Sequence, residues 1–154
     1  MGVFLKTIGS GKNPCPEPYT KPYADFSHYP RQVRPGDHLV LYAAGGRKCV
    51  FAIAEVTSQV KTSEFKEWPY RVDINYLVRL HPANGVPIDE VSIDRDLARS
   101  IGQHTYIVLQ PEEYERAKAS FSKGYLYAIV TRITNLLLMM CNISCSPLMI
   151  IEQL

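Results

Sequence analysis

The chain has few of the features that identify whole classes of protein. Its four cysteines among 154 residues are irregularly spaced, which indicates reduced thiols in a cytoplasmic protein and not a disulfide framework. Lys and Arg number 17 and Asp and Glu number 15, a net charge of +2. That balance excludes a uniformly basic coat but permits a local basic patch. No long apolar run near the start precedes a small-residue cleavage site, so we expect no signal peptide.

Motifs for catalysis and metal binding are also scarce. There is no G-x-S-x-G nucleophile turn and no zinc-deaminase signature. The run 9–12 (GSGK) falls short of a phosphate-binding loop, because Lys6 and Asn13 stand where that loop needs glycine and a hydroxyl residue. Cys141 and Cys145 lack the second pair of ligands that a zinc site needs. We therefore expect a protein that is not an enzyme, with no cofactor and no metal.

The residues that are abundant predict strands and turns. Eleven prolines, ten tyrosines and nine glycines favour short strands joined by loops over a helical bundle. Apolar and alternating segments predict strands over residues 3–8, 38–43, 49–57, 68–80 and 105–109. A proline- and tyrosine-rich loop is predicted over 13–31, and one or two helical turns over 94–100. The sequence thus predicts an α+β fold built on a mixed β-barrel of five to six strands with short flanking helices.

The clearest helix signal lies near the end of this region. Pro111 suits a first helical turn, and the two glutamates after it complement the positive end of a helix. Tyr114, Ala117 and Phe121 recur at helical spacing, so they are predicted to face the core. We expect this C-terminal helix over residues 111–122 and the end of the domain at residue 124.

Residues 125–154 differ from the rest in composition. Their only charged side chains are Arg132 and Glu152, and they hold three of the four methionines. Three interpretations remain open. The tail forms a helix docked on the barrel or on a second subunit as a homodimer contact, it is a non-native extension, or it is a weak membrane anchor.

Three segments, taken in their order along the chain, resemble a known family. The turn Pro35-Gly36-Asp37 leads into an apolar strand that ends with Tyr42, the second strand carries AIAEV at 52–56, and WPYRV follows at 68–72. Together they resemble the EVE domain family of the PUA-like superfamily, which also contains YTH and ASCH domains. The resemblance covers roughly residues 3–122. It departs at Val3 and Phe4, where EVE domains carry Trp or Tyr early in the first strand.

The resemblance implies a PUA-like barrel with a ligand pocket at one end. YTH domains take a methylated base into an aromatic cage, and EVE domains resemble readers of modified bases, chiefly modified cytosine in DNA. The expected function is therefore a non-catalytic module that binds modified DNA or RNA. The alternatives are a PUA-like module for tRNA or other structured RNA, a pocket for a small nucleotide-like ligand, and an accessory protein that dimerises through its tail.

A base reader needs aromatic walls, polar groups at the base edge and positive charge for phosphate. The resemblance and the chemistry of the side chains suggest two sets of residues. The predicted base-binding residues are Trp68, Tyr70, Tyr42, Ser10, Thr7, Asn13, Gln103 and Tyr23. The predicted phosphate contacts are Lys12, Arg34, Arg47, Lys48 and Arg71. The competing interpretation is core packing for the aromatic residues and simple solvation for the basic ones.

Overall fold

The structure is a computed structural model that describes residues 1–93 and 95–123, without the side chain of Gln103. Eight strands lie in these ranges: β1 Val3–Ile8, β2 Tyr23–Phe26, β3 His38–Ala43, β4 Cys49–Val56, β5 Lys61–Thr62, β6 Tyr70–Arg79, β7 Val86–Pro87 and β8 Tyr106–Val108. The helices are a 3₁₀ turn at Pro82–Asn84, α1 Ile88–Val91, α2 Leu97–Gln103 and α3 over residues 111–123. The predicted α+β class is confirmed.

The strands form one curled sheet. Its order is β2-β6-β4-β3-β1-β8, with the short β5 paired to β6 and β7 paired to β4. Strands β1 and β3 run parallel, and the other pairs are antiparallel. The two end strands approach each other across the interior, because the ring of Phe26 in β2 lies 5.6 Å from that of Tyr106 in β8. The sheet is therefore curled into a half-barrel.

Alternation along the strands divides the apolar residues between two cores. In β1, Phe4 and Ile8 belong to the core inside the curl, together with Phe26 and Phe51. The second core lies between the outer face of the sheet and the helices, and it holds Leu5 and the α3 residues Tyr114, Ala117 and Phe121. All three α3 side chains are buried, so the predicted helix and its inward face are confirmed.

The structure corrects the prediction for residues 13–31. That segment is not loop throughout, because Tyr23–Phe26 forms a strand that pairs with β6 from Tyr23 opposite Asp73 to Phe26 opposite Tyr70. Ala24 and Phe26 are fully buried, and this alternation stabilises the strand within a proline-rich stretch. The predicted helical turns over 94–100 correspond to α2. Asp96 caps the start of this helix, because its side chain accepts a hydrogen bond from the Arg99 amide at 2.8 Å.

Cys15 and Cys49 are free and buried, as expected for reduced thiols. The predictions for residues 125–154, including Cys141 and Cys145, lie outside the described residues. Within the ranges that the structure covers, every helix is too short or too polar to cross a bilayer.

Candidate functional site

A crevice opens where β1 and β3 end side by side. Their parallel pairing sets Thr7 opposite Tyr42 and Ile8 opposite Ala43. After each of these strands the backbone turns at a glycine with positive φ, +81° at Gly9 and +81° at Gly45. A Cβ at Gly45 would lie 2.2 Å from the Ser10 carbonyl oxygen. Glycine is needed there because the turn after β1 and the hairpin after β3 touch through their backbones.

The crevice consists of two clefts that share Thr7, Gly9, Ser10 and Trp68. The first cleft, about 220 Å³, opens toward the interior of the curled sheet. Its other lining residues include Lys6, Asn13, Tyr19, Lys21, Asp25 and Glu67. The second cleft, about 440 Å³, opens toward α2. Its other lining residues include Tyr42, Lys48, Ala98, Ile101 and His104.

Trp68 forms the wall common to both clefts. Trp68 lies in a turn just before β6 begins. The Trp68 amide closes this turn by donating to the Phe65 carbonyl oxygen at 3.0 Å. The side chain is only partly buried, so one part of the indole is packed and another part lines the crevice. A partly exposed aromatic face at a cleft is the arrangement that stacks against a planar ligand.

Two hydroxyl side chains stand at the end of β1. Ser10 accepts a hydrogen bond from the Asn13 amide at 3.1 Å, which closes the turn between these two predicted residues. The Thr7 Oγ1 atom is buried and has no hydrogen-bond partner within residues 1–93 and 95–123. Leaving a buried hydroxyl unpaired costs about 1–3 kcal/mol. A ligand atom that hydrogen-bonds Thr7 would remove that cost.

Lys6 is a site residue that the sequence analysis did not single out. Its side chain is 1% exposed although it lines the first cleft. Its Nζ donates to the Thr7 carbonyl oxygen at 2.5 Å and lies 4.8 Å from the ring centre of Phe26 and 5.3 Å from that of Trp68. The signal was available in the sequence, because strand alternation places Lys6 on the same inward face as Phe4 and Ile8.

Burial dominates the chemistry of the Lys6 amino group. Desolvation lowers the pKa of Lys6 from its ordinary 10.5 to about 7, although the charge of Asp25 opposes the decrease. Asp25 is itself held by Arg71, whose Nε and Nη2 atoms donate to its two carboxylate oxygens at 2.6 and 3.1 Å. The first cleft therefore has at its floor an amine that is close to half-protonated near neutral pH.

The structure brings together five of the eight predicted base-binding residues. The residues that line the crevice are Thr7, Ser10, Asn13, Tyr42 and Trp68. Tyr70 and Tyr23 do not line it: the ring of Tyr70 packs edge-on against Tyr29 at 5.4 Å, and that of Tyr23 lies under the Arg71 guanidinium at 3.5 Å. The side chain of Gln103 lies outside the described residues.

Four of the five predicted phosphate contacts divide into two groups. Lys48 lines the second cleft, and Lys12 is exposed in the turn after β1. Two of the arginines are committed to carboxylates: Arg71 to Asp25, and Arg47 to Glu17 through bonds of 2.7 and 3.1 Å. The hydrogen bonds between Arg47 and Glu17 raise the pKa of Arg47 and lower that of Glu17.

Arg34 stands apart from the crevice. It precedes β3, whose far end forms the crevice. At about 3.3 Å per residue, the six-residue strand separates the two by roughly 20 Å. Its guanidinium donates to the Val33 carbonyl oxygen at 3.0 Å, and its amide donates to Asp37 at 2.8 Å, so it helps to form the turn before β3.

Comparison with known proteins gives a likeness of fold. No family model and no curated protein matches the sequence. The crystal structure of protein Atu2648 from Agrobacterium tumefaciens is similar with a TM-score of 0.55 at 13% identity, covering 78% of this chain and 93% of that one. The NMR structure of Rpa0253 from Rhodopseudomonas palustris gives 0.51 at 14% identity, covering 79% and 94%. At such low identity these similarities concern the fold alone, so this chain is similar in its mixed α+β architecture to two bacterial proteins.

Proposed function

We propose that the chain is a PUA-like module of the EVE type that binds nucleic acid without chemistry and holds a modified base in the crevice around Trp68. The supporting observation is that one crevice is lined by residues from three separate segments of the chain: Thr7, Ser10 and Asn13 from the first, Tyr42 from the second and Trp68 from the third. These residues supply two aromatic side chains, two hydroxyls and an amide. A reader of single bases needs such a combination.

The size of the first cleft suits one base. Its volume of about 220 Å³ equals about seven water molecules at ~30 Å³ each. A pyrimidine base has a comparable number of heavy atoms, whereas a whole nucleotide is much larger. Stacking on an aromatic side chain contributes about 1–3 kcal/mol per base. That contribution offsets the few kcal/mol needed to unstack and unpair a base.

Positive charge at the rim suits the strand that carries the base. Lys21 lines the first cleft, Lys48 lines the second, and Lys12 is exposed in the turn after β1. Three phosphate contacts to duplex DNA would give a slope of about −2.7 for log affinity against log salt concentration, at ~0.9 per contact. Arg47 and Arg71 are assigned a structural role because each holds a carboxylate.

The test uses the intrinsic fluorescence of Trp68, which is the only tryptophan in the chain. Short single- and double-stranded DNA and RNA are titrated at two salt concentrations. Each is supplied unmodified, with 5-methylcytosine and with N6-methyladenine. Quenching that depends on one modification supports the proposal and identifies the base.

Other outcomes point to the alternatives. Equal quenching by every oligonucleotide, weakened by salt, indicates a binder of the backbone with no base pocket. A response to RNA alone, independent of modification, indicates the RNA-binding module. If no oligonucleotide quenches Trp68 or shifts in a gel at low salt, base reading is excluded. The remaining candidate is then a free nucleotide-like ligand, which is tested by titrating nucleosides.

A further inference from the structure

The floor of the first cleft holds an amino group with unused hydrogen-bonding capacity. Lys6 is 1% exposed, and the bond to the Thr7 carbonyl oxygen is the one hydrogen bond of its Nζ to the part of the chain that the structure describes. A lysine ammonium carries three N–H donors. Buried donors without acceptors are unfavourable, so the cleft favours a ligand that brings an acceptor atom to Lys6.

The surroundings of Lys6 leave that position open. Phe26 and Trp68 present their rings to Nζ, which compensates the charge only in part. Asp25 is the acidic group whose charge acts on Lys6, but both of its oxygens accept hydrogen bonds from Arg71. Because Trp68 and Lys6 both line the first cleft, a planar ligand held there lies beside both the indole and the amine.

We propose that Lys6 is the specificity-determining residue of the crevice, selecting planar rings that present a hydrogen-bond acceptor to the cleft floor and preferring a carboxylate-substituted ring to a methyl-substituted one. The preference follows from charge, because an ammonium donates more strongly to a carboxylate than to a neutral acceptor, and a methyl group accepts no hydrogen bond. The inference rests on the proposed function, in which a ring stacks on Trp68.

Binding of an acidic ring is then coupled to proton uptake. Only the protonated amine pairs with a carboxylate, and at a pKa of about 7 the protonated fraction falls about 30-fold between pH 6 and pH 8.5. The other titratable groups facing Lys6 or lining the crevice are Asp25 on β2, Tyr106 opposite Lys6 on β8, Tyr19, Lys21 and Glu67 in the first cleft, and Tyr42, Lys48 and His104 in the second. All of these groups are retained in every variant, so the comparison between variants isolates the contribution of Lys6.

The experiment compares the wild-type chain with Lys6→Met, Lys6→Gln and the matched control Lys12→Met. Trp68 fluorescence is followed while cytidine, 5-methylcytidine and 5-carboxycytidine are titrated, as free nucleosides and within oligonucleotides, at pH 6, 7.25 and 8.5. We expect the wild type to prefer the carboxylated ring and to bind it about 30-fold more weakly at pH 8.5 than at pH 6. Lys6→Met loses the preference and changes its affinity less than threefold across this range.

The control variants separate donation from charge. Lys6→Gln keeps a donor that does not titrate, so it retains binding of neutral acceptors but loses the pH dependence. Lys12→Met removes an exposed charge; it lowers oligonucleotide affinity but keeps the preference and the pH slope. Thermal unfolding confirms that each variant is folded. For the wild type, calorimetry in two buffers of different ionisation enthalpy must show proton uptake on binding of 5-carboxycytidine.

Two results overturn the inference and are distinguishable. If Lys6→Met binds with the preference and pH profile of the wild type, Lys6 does not select the ligand, while modification-dependent binding still supports the proposed function. If no cytidine probe binds at any pH, the inference is wrong, and the titration with N6-methyladenine oligonucleotides then decides the proposed function.

Discussion

Replacing Lys6 with methionine is expected to stabilise the fold at neutral pH. The pKa of Lys6 is about 7 in the folded chain against an ordinary 10.5, and each unit corresponds to about 1.4 kcal/mol. The unfolded chain therefore binds more protons than the folded chain between these values. Below pH 7 the full penalty of roughly 5 kcal/mol acts on the fold, and it is relieved as pH rises toward 10.5.

The expected advantage of Lys6→Met is therefore about 4 kcal/mol at pH 7 and falls by about 3 kcal/mol by pH 9.5. The measurement is the free energy of unfolding in urea, followed by Trp68 fluorescence at pH 6, 7, 8 and 9.5. Taking the difference between the two proteins removes the effect of the buried Tyr19 and Cys15, whose pKa values burial raises.

Lys12→Met serves as the control, because Lys12 is exposed, and its difference from the wild type should not vary over this range. A Lys6→Met advantage that stays constant from pH 6 to pH 9.5 would refute the reasoning, since Lys6 would then titrate like an exposed lysine. A destabilised Lys6→Met would show that the contacts of the amine outweigh its desolvation.

The remaining predictions use the crevice and its supports. Trp68→Leu should weaken binding of a labelled modified oligonucleotide by about 1–3 kcal/mol in anisotropy titrations, whereas Tyr70→Leu, outside the crevice, should change it far less; equal losses would contradict the site. Lys48→Gln should reduce the slope of log affinity against log salt concentration by about 0.9, and Arg34→Gln should leave this slope unchanged. If instead only Arg34→Gln reduced the slope, the phosphates would bind at the other end of β3. Glu113→Gln should destabilise the fold by about 1–3 kcal/mol in urea unfolding, because the buried side chain loses its charge opposite the partly exposed Arg95 guanidinium, whereas the glutamine oxygen still accepts the capping bond from the Gln110 amide; an unchanged unfolding midpoint would show that the ion pair does not stabilise the fold.

Strand positions and the α3 helix were accessible from the sequence for local reasons. The apolar segments at 3–8 and 38–43 became β1 and β3 within the predicted bounds, and the helical spacing after Pro111 gave the buried face of α3. Periodicity reports which face of an element is apolar. It contains no information on partners, and for that reason β2 was missed within a proline-rich segment.

The make-up of the crevice depended on tertiary structure. Thr7 meets Tyr42 because β1 and β3 pair in parallel, a contact between residues 35 positions apart in the chain. The availability of positive charge also depended on tertiary structure. Arg47 and Arg71 carry the same charge as Lys48, yet each of the two arginines is paired with a carboxylate remote in sequence.

Lys6 combines both kinds of determination. The alternation of β1 by itself directs its side chain inward, between Phe4 and Ile8. Only the curled sheet decides that this interior opens into a cleft beside Trp68 and that Arg71 occupies the nearby carboxylate. The physical reason is that burial and the pairing of charges depend on distances between segments remote in sequence, whereas the orientation of a strand residue depends only on its neighbours.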